Sequence, residues 1–105
     1  DTYIKEMRGI FRGDPDQFFL DRLLLGAVIE ARGCERFALV GEALPEGKEK
    51  QFYVEIAASE EKHKNLFVEL AYEYFDKPEV DERLEEILIH EAQVCAKLPH
   101  RAALH

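Results

Sequence analysis

Proline and glycine fall in this chain at only a few places, and the runs between them are too long and too regular for anything but a helical bundle. The stretch "RGDPDQ" carries the signals of a helix start. Asp14 can cap, Pro15 suits the first turn, and Asp16 favours the positive helix end. From there the helical pattern runs unbroken to about Ala43, and "LPEGK" is a short connector. A second helix is expected from roughly Glu49 to Phe75. "DKPE" interrupts the pattern, and a third helix runs from about Val80 to Leu98, where Pro99 ends it. "TYIKEMRGIF" suits a short lead-in helix. No alternating strand pattern occurs, and short loops between long helices make neighbours antiparallel, so the expected fold class is all-α.

Composition narrows the class further. With 105 residues, 47% of them hydrophobic and 34% charged, the chain fits one small soluble domain. No apolar run approaches the ~20 residues needed to span a bilayer, and no secretory signal is present, so no membrane partner and a cytoplasmic location are expected. Cys34 and Cys95 form no CxxC pair and read as small buried hydrophobes of a reducing compartment. A net charge of −8 disfavours broad, sequence-blind binding to a phosphate backbone. Arg32 with Arg36, or Lys62 with Lys64, forms at most a local basic patch and reads first as a solvated face. The chain opens at Asp1 without Met and runs at once into helical pattern, as though a segment preceded it.

The second long helix carries an oddity, "ASEEKHKNLF". At about 100° per residue, Phe52, Ile56, Phe67 and Leu70 share one stripe, with His63 inside it and Glu60 at its edge. A buried carboxylate without a partner is costly. A carboxylate and an imidazole one turn apart can instead grip a single cation, the Glu-x-x-His device of di-iron carboxylate bundles. On the preceding helix, Leu24, Ala27, Val28, Ala31, Cys34, Ala38 and Leu39 form the apolar stripe. Glu35 lies within that stripe and Glu30 roughly 90° from its centre, so both are candidate ligands and the angle favours Glu35. Oxygen and nitrogen donors suit iron or manganese, and the lack of paired cysteines argues against structural zinc. Gly26, Gly33 and Ala27 fall close enough in angle to allow tight helix approach. Tyr53, Phe52, Phe67, Tyr74 and Phe75 read as core or interface aromatics.

The strings "GAVIEARGCERFAL" and "ASEEKHKNLFVELAYEY" closely resemble the C-terminal half of the tRNA-(ms2io6A)-hydroxylases, from about Phe18 to Leu98. The resemblance implies a ferritin-like di-iron monooxygenase that hydroxylates the isopentenyl group of a hypermodified tRNA adenosine, 2-methylthio-N6-isopentenyladenosine. It implies iron as cofactor, tRNA as substrate and an external electron donor, since no flavin or nicotinamide motif is present. It also implies Glu35, Glu60 and His63 as ligands, with no catalytic residue beyond the metal ligands. Residues 1–105 then form a single ferritin-like helical domain, the C-terminal part of a longer one: half of a di-iron four-helix bundle plus a C-terminal helix.

The sequence departs from that pattern in lacking a second Glu and Glu-x-x-His set. In "EEILIHEA" no Glu stands three residues before His90, and His90 points off the apolar stripe. Glu91 lies on the stripe of its helix with Leu84, Leu88 and Cys95. It is a lesser candidate as ligand or supporting group, with a helix-end hydrogen bond or a wet groove as the plainer role. His100 and His105 read as a surface tail. Three ligands cannot enclose two irons, which in such bundles take four carboxylates and two histidines. The rest must come from an absent N-terminal helix pair or from a second copy of the chain. An iron-binding or ferroxidase protein without a tRNA substrate, and a non-catalytic helical fragment, are the alternatives.

Overall fold

A computed structural model describes residues 2–98, and the histidine tail falls outside them. The described residues form four helices and no strand: α1 (Thr2–Arg8), α2 (Pro15–Ala43), α3 (Lys48–Tyr74) and α4 (Lys77–Lys97). The Asp14 carboxylate accepts from the Gln17 N–H at 3.1 Å, so the expected cap forms with Pro15 in the first turn. Gly47 precedes α3 at φ +151°, a left-handed conformation that suits a residue without Cβ. α4 begins three residues earlier than expected, because Asp76 takes the capping position and Pro78 fits the first turn.

α2 and α3 make a long antiparallel hairpin, and α4 returns alongside. The core gathers at one end of that hairpin. Leu20, Leu23, Leu24, Leu25 and Val28 of α2 pack there on Ala71 of α3 and on Val80, Ile87 and Val94 of α4, with Met7 of α1 closing the group. Toward the other end cover is thin. Leu39 is 66% exposed, Phe52 56% and Val54 49%. Those values correct the expectation that Leu39 and Phe52 lie in the interior. Tyr74 is exposed as well, whereas Tyr53, Phe67 and Phe75 are half-buried. Cys34 is half-buried and Cys95 exposed, so only the first keeps any of the expected burial.

Two ionic clusters tie the helices together. Asp21 is fully buried on α2 and accepts from Arg83 of α4 at 2.7 and 3.1 Å. It also accepts from Arg12 of the α1–α2 connection, through Nε at 3.1 Å, Nη2 at 2.9 Å and the backbone N–H at 3.0 Å. Arg83 donates further to the Ile10 carbonyl at 2.8 Å. Burial alone would raise the Asp21 carboxyl, but the hydrogen bonds from Arg83 and Arg12 outweigh it and hold the group below its ordinary 3.8. In the second cluster Arg32 of α2 grips Glu91 of α4 with two bonds of 2.8 Å, and the Tyr3 hydroxyl of α1 donates to Glu91 at 2.5 Å. Glu91 is 4% exposed and does lie on the buried stripe of α4. Its companions there are Val80, Ile87 and Val94, while Leu88 and Cys95 face water.

Candidate metal centre

The face of α2 that meets α3 is built from small residues. A Cβ on Gly26 would stand 3.3 Å from the Phe67 ring, one on Gly33 3.3 Å from Glu60 Oε2, and one on Gly41 3.5 Å from Tyr53 Cβ. The Cys34 thiol donates to the Ala57 carbonyl at 3.3 Å, and the rings of Phe37 and Tyr53 lie 6.0 Å apart. Residues 26, 30, 33, 37 and 41 recur three or four apart, which is one helix face. Glu30 sits in the middle of it.

Glu30, Glu60 and His63 therefore converge across the α2–α3 seam, each offering one ligand atom within 4.8 Å of the others. His63 Nδ1 lies 4.0 Å from Glu30 Oε2. That Oε2 is buried and has no hydrogen-bond partner, the only such side-chain atom among the described residues. The two glutamates are half-buried and His63 is exposed, so the group is open on one side.

Glu35 stands elsewhere. It is five residues, or about 140°, round the helix from Glu30. Its carboxylate is 63% exposed and takes two bonds from Arg32, at 2.9 and 2.8 Å. The structure thus joins Glu60 and His63 with Glu30 rather than with Glu35. The apolar stripe that pointed to Glu35 marks the side of α2 that packs toward the core and α4. The side facing α3 is marked by glycines, which add little to a hydrophobic stripe. Glu91 is also outside the cluster. Burial would raise its carboxyl, but the bonds from Arg32 and Tyr3 hold it below the ordinary 4.5. Glu91 in turn raises the Arg32 guanidinium above its ordinary range, and the Tyr3 hydroxyl is raised by its burial and by Glu91. Arg32 is therefore a structural tie rather than part of a free basic patch. The His90 Nε2–H donates to the Glu6 carbonyl, 2.9 Å away.

The residues present suit a transition-metal cation. Two carboxylates and an imidazole are the donor chemistry of iron or manganese. A carboxylate oxygen buried without a donor is costly unless something positive meets it. The missing Cβ of Gly33 leaves the room in which the Glu60 carboxylate stands.

Comparisons with known proteins give the family and the fold. The model of the tRNA-(ms2io6A)-hydroxylase family (MiaE) matches residues 1–105. The tRNA 2-(methylsulfanyl)-N(6)-isopentenyladenosine(37) hydroxylase of Pseudomonas putida is 35% identical over 78 residues, which are 74% of this chain and 38% of that protein. The enzyme of the same name from Salmonella typhimurium is 38% identical over 69 residues, 66% of this chain and 25% of that protein. The chain thus spans well under half the length of these curated relatives. Among solved structures, a protein with aldehyde deformylating oxygenase activity from Synechococcus superposes with a TM-score of 0.85 at 28% identity, covering 97% of this chain and 51% of that one. The all-α, ferritin-like bundle expected from the sequence is the fold observed. No helix among the described residues is long and apolar enough to cross a membrane.

Proposed function

Because the chain belongs to the tRNA-(ms2io6A)-hydroxylase family, we propose that it supplies half of the iron centre of an O2-dependent hydroxylase acting on the isopentenyl group of a modified tRNA adenosine. Glu30, Glu60 and His63 are the ligands on this half. The observation that carries the reading is the orphaned Glu30 Oε2, buried and facing the imidazole and carboxylate of α3. Bound iron would activate O2, so that one oxygen atom enters a substrate C–H bond as hydroxyl and the other leaves as water, with two electrons and two protons from an external donor.

The chain's own part is to hold and orient. Glu30 and Glu60 bring negative charge that offsets a cation, and His63 presents Nδ1 toward them. Gly33 lets α2 and α3 approach without pushing Glu60 aside. Four carboxylates and two histidines are needed for two irons, so a further Glu and Glu-x-x-His set must come from other helices, in the same protein or in a second copy. The exposed apolar residues along the hairpin, Phe52 and Leu66 among them, are where such helices would pack.

Reconstituting the protein with Fe(II), a reductant, 18O2 and tRNA carrying the prenylated adenosine tests this reading. Mass spectrometry of the released nucleosides is expected to show one 18O atom gained on the prenylated nucleoside. Oxidation of Fe(II) with no oxygenated nucleoside would contradict it and leave a ferroxidase.

A further inference from the structure

A cleft of about 420 Å³ opens at the α1–α2 corner, floored by Leu25, Gly26 and Ile29 and walled by Phe11 and Phe18, with Arg8 and Arg22 also lining it. The chain carries −8 overall, yet neither arginine has a carboxylate partner among the described residues. Arg36 of α2 likewise has no carboxylate partner among the described residues, whereas Arg12 and Arg83 are committed to Asp21, and Arg32 to Glu35 and Glu91. The aromatic walls are organised as well. Phe11 and Phe18 meet edge to face at 5.1 Å, and the Arg22 guanidinium lies 5.9 Å from the centre of the Phe18 ring. Aromatic faces backed by guanidinium planes are how proteins hold unpaired bases, and arginines without acidic partners are how they hold phosphate.

The cleft also lies beside the metal-ligand cluster. Gly26 precedes Glu30 by four residues, about 6 Å along the helix axis. The Phe67 ring, which approaches the Gly26 position to 3.3 Å, belongs to the residue one turn after His63. About one helical turn thus separates the floor of the cleft from the cluster, with the Phe67 ring packed at Gly26, a span comparable to the reach of an isopentenyl substituent.

We propose that this cleft is a nucleotide subsite for unpaired RNA. The base lies against Phe11 and Phe18, the adjoining phosphate is held by Arg8 and Arg22, and an N6 substituent runs along Gly26 and Ile29 toward Glu30. The assignment of the substituent rests on the hydroxylase reading; the binding of base and phosphate stands on the cleft alone.

The test is fluorescence anisotropy of the full chain with a fluorescein-labelled RNA hairpin bearing unpaired adenosines in its loop, over a salt series. Arg22→Gln is expected to weaken binding and to lower the slope of log affinity against log salt by about one phosphate contact, ~0.7. Phe18→Ala is expected to weaken binding about tenfold with the salt slope unchanged. Lys48→Gln, at the α2–α3 connection on the opposite end of the hairpin, should leave both unchanged. Circular dichroism and Fe(II) titration of the same variants report whether fold and metal binding persist. Should Phe18→Ala disturb the fold, Phe18→Leu removes the stacking face while keeping an apolar side chain, and the same loss is expected. Glu30→Ala should keep RNA affinity whatever it does to iron, so failure of the metal reading shows separately. The proposal is overturned if the hairpin does not bind, if both cleft variants bind it as the unaltered chain does, or if heparin, which has charge but no bases, loses equally with Phe18→Ala.

Discussion

Replacing Asp21 by Asn keeps the shape of the side chain and removes the charge on which two arginines converge. Losing one member of a buried ion pair costs about 3–5 kcal/mol, because the remaining charge is left in a poor solvent. Arg12 is 31% exposed, so water screens its share, whereas Arg83 is 11% exposed and keeps only Glu86 and the Ile10 carbonyl. The expected loss is therefore at the lower end, about 3 kcal/mol. For a domain of this size that lowers Tm by about 12–24 °C. Urea unfolding followed by circular dichroism should show a lower midpoint with an unchanged slope. The pH dependence gives a second check. The Asp21 carboxyl is held below its ordinary 3.8, so its contribution is present above that value and is lost as pH falls through the lowered folded value. The gap between the unaltered chain and Asp21→Asn should accordingly narrow below about pH 3.8. A difference under about 1 kcal/mol at pH 7, the range of a surface pair, would refute this account of the cluster.

Further perturbations separate holding the helices from holding the metal. Gly33→Ala should raise the helix stability of the metal-free chain by up to ~1 kcal/mol while weakening Fe(II) binding, since the added Cβ meets Glu60 Oε2 at 3.3 Å; thermal melting with and without Fe(II) should move in opposite directions, and a parallel shift would count against Glu60 as a ligand. Glu91→Gln should cost about 1–2 kcal/mol in a urea titration by loosening Arg32 and Tyr3, yet leave the iron content unchanged; a fall in iron per chain would place Glu91 among the ligands.

The helices were legible because their ends are spelled out locally, by Asp14 with Pro15, by Gly47 and by Asp76 with Pro78. Glu60 and His63 were legible as a pair for the same reason, being one turn apart on one helix. The partner on α2 was harder to read, since it depends on which face meets α3. Leu24, Ala27 and Val28 give that helix a strong apolar direction toward the core, and Glu35 lies nearer to it than Glu30 does. The contact with α3 is made at Gly26, Gly33 and Gly41, spaced seven and eight residues apart, with Cys34 and Phe37 alongside. That glycine spacing was the available signal, because residues without a Cβ leave room for the side chains of a facing helix. Asp21 with Arg83 gave no sequence signal at all, since the two lie far apart in the chain and meet only when α4 docks.

Fe(II) titration of Glu30→Ala beside Glu35→Ala, read as iron bound per folded chain, tests the metal centre most directly. Glu30→Ala should lose the iron, because its orphaned Oε2 is the atom aimed at Glu60 and His63, and Glu35→Ala should retain it, its carboxylate being committed to Arg32. Iron kept by Glu30→Ala and lost by Glu35→Ala would contradict the centre described for this chain.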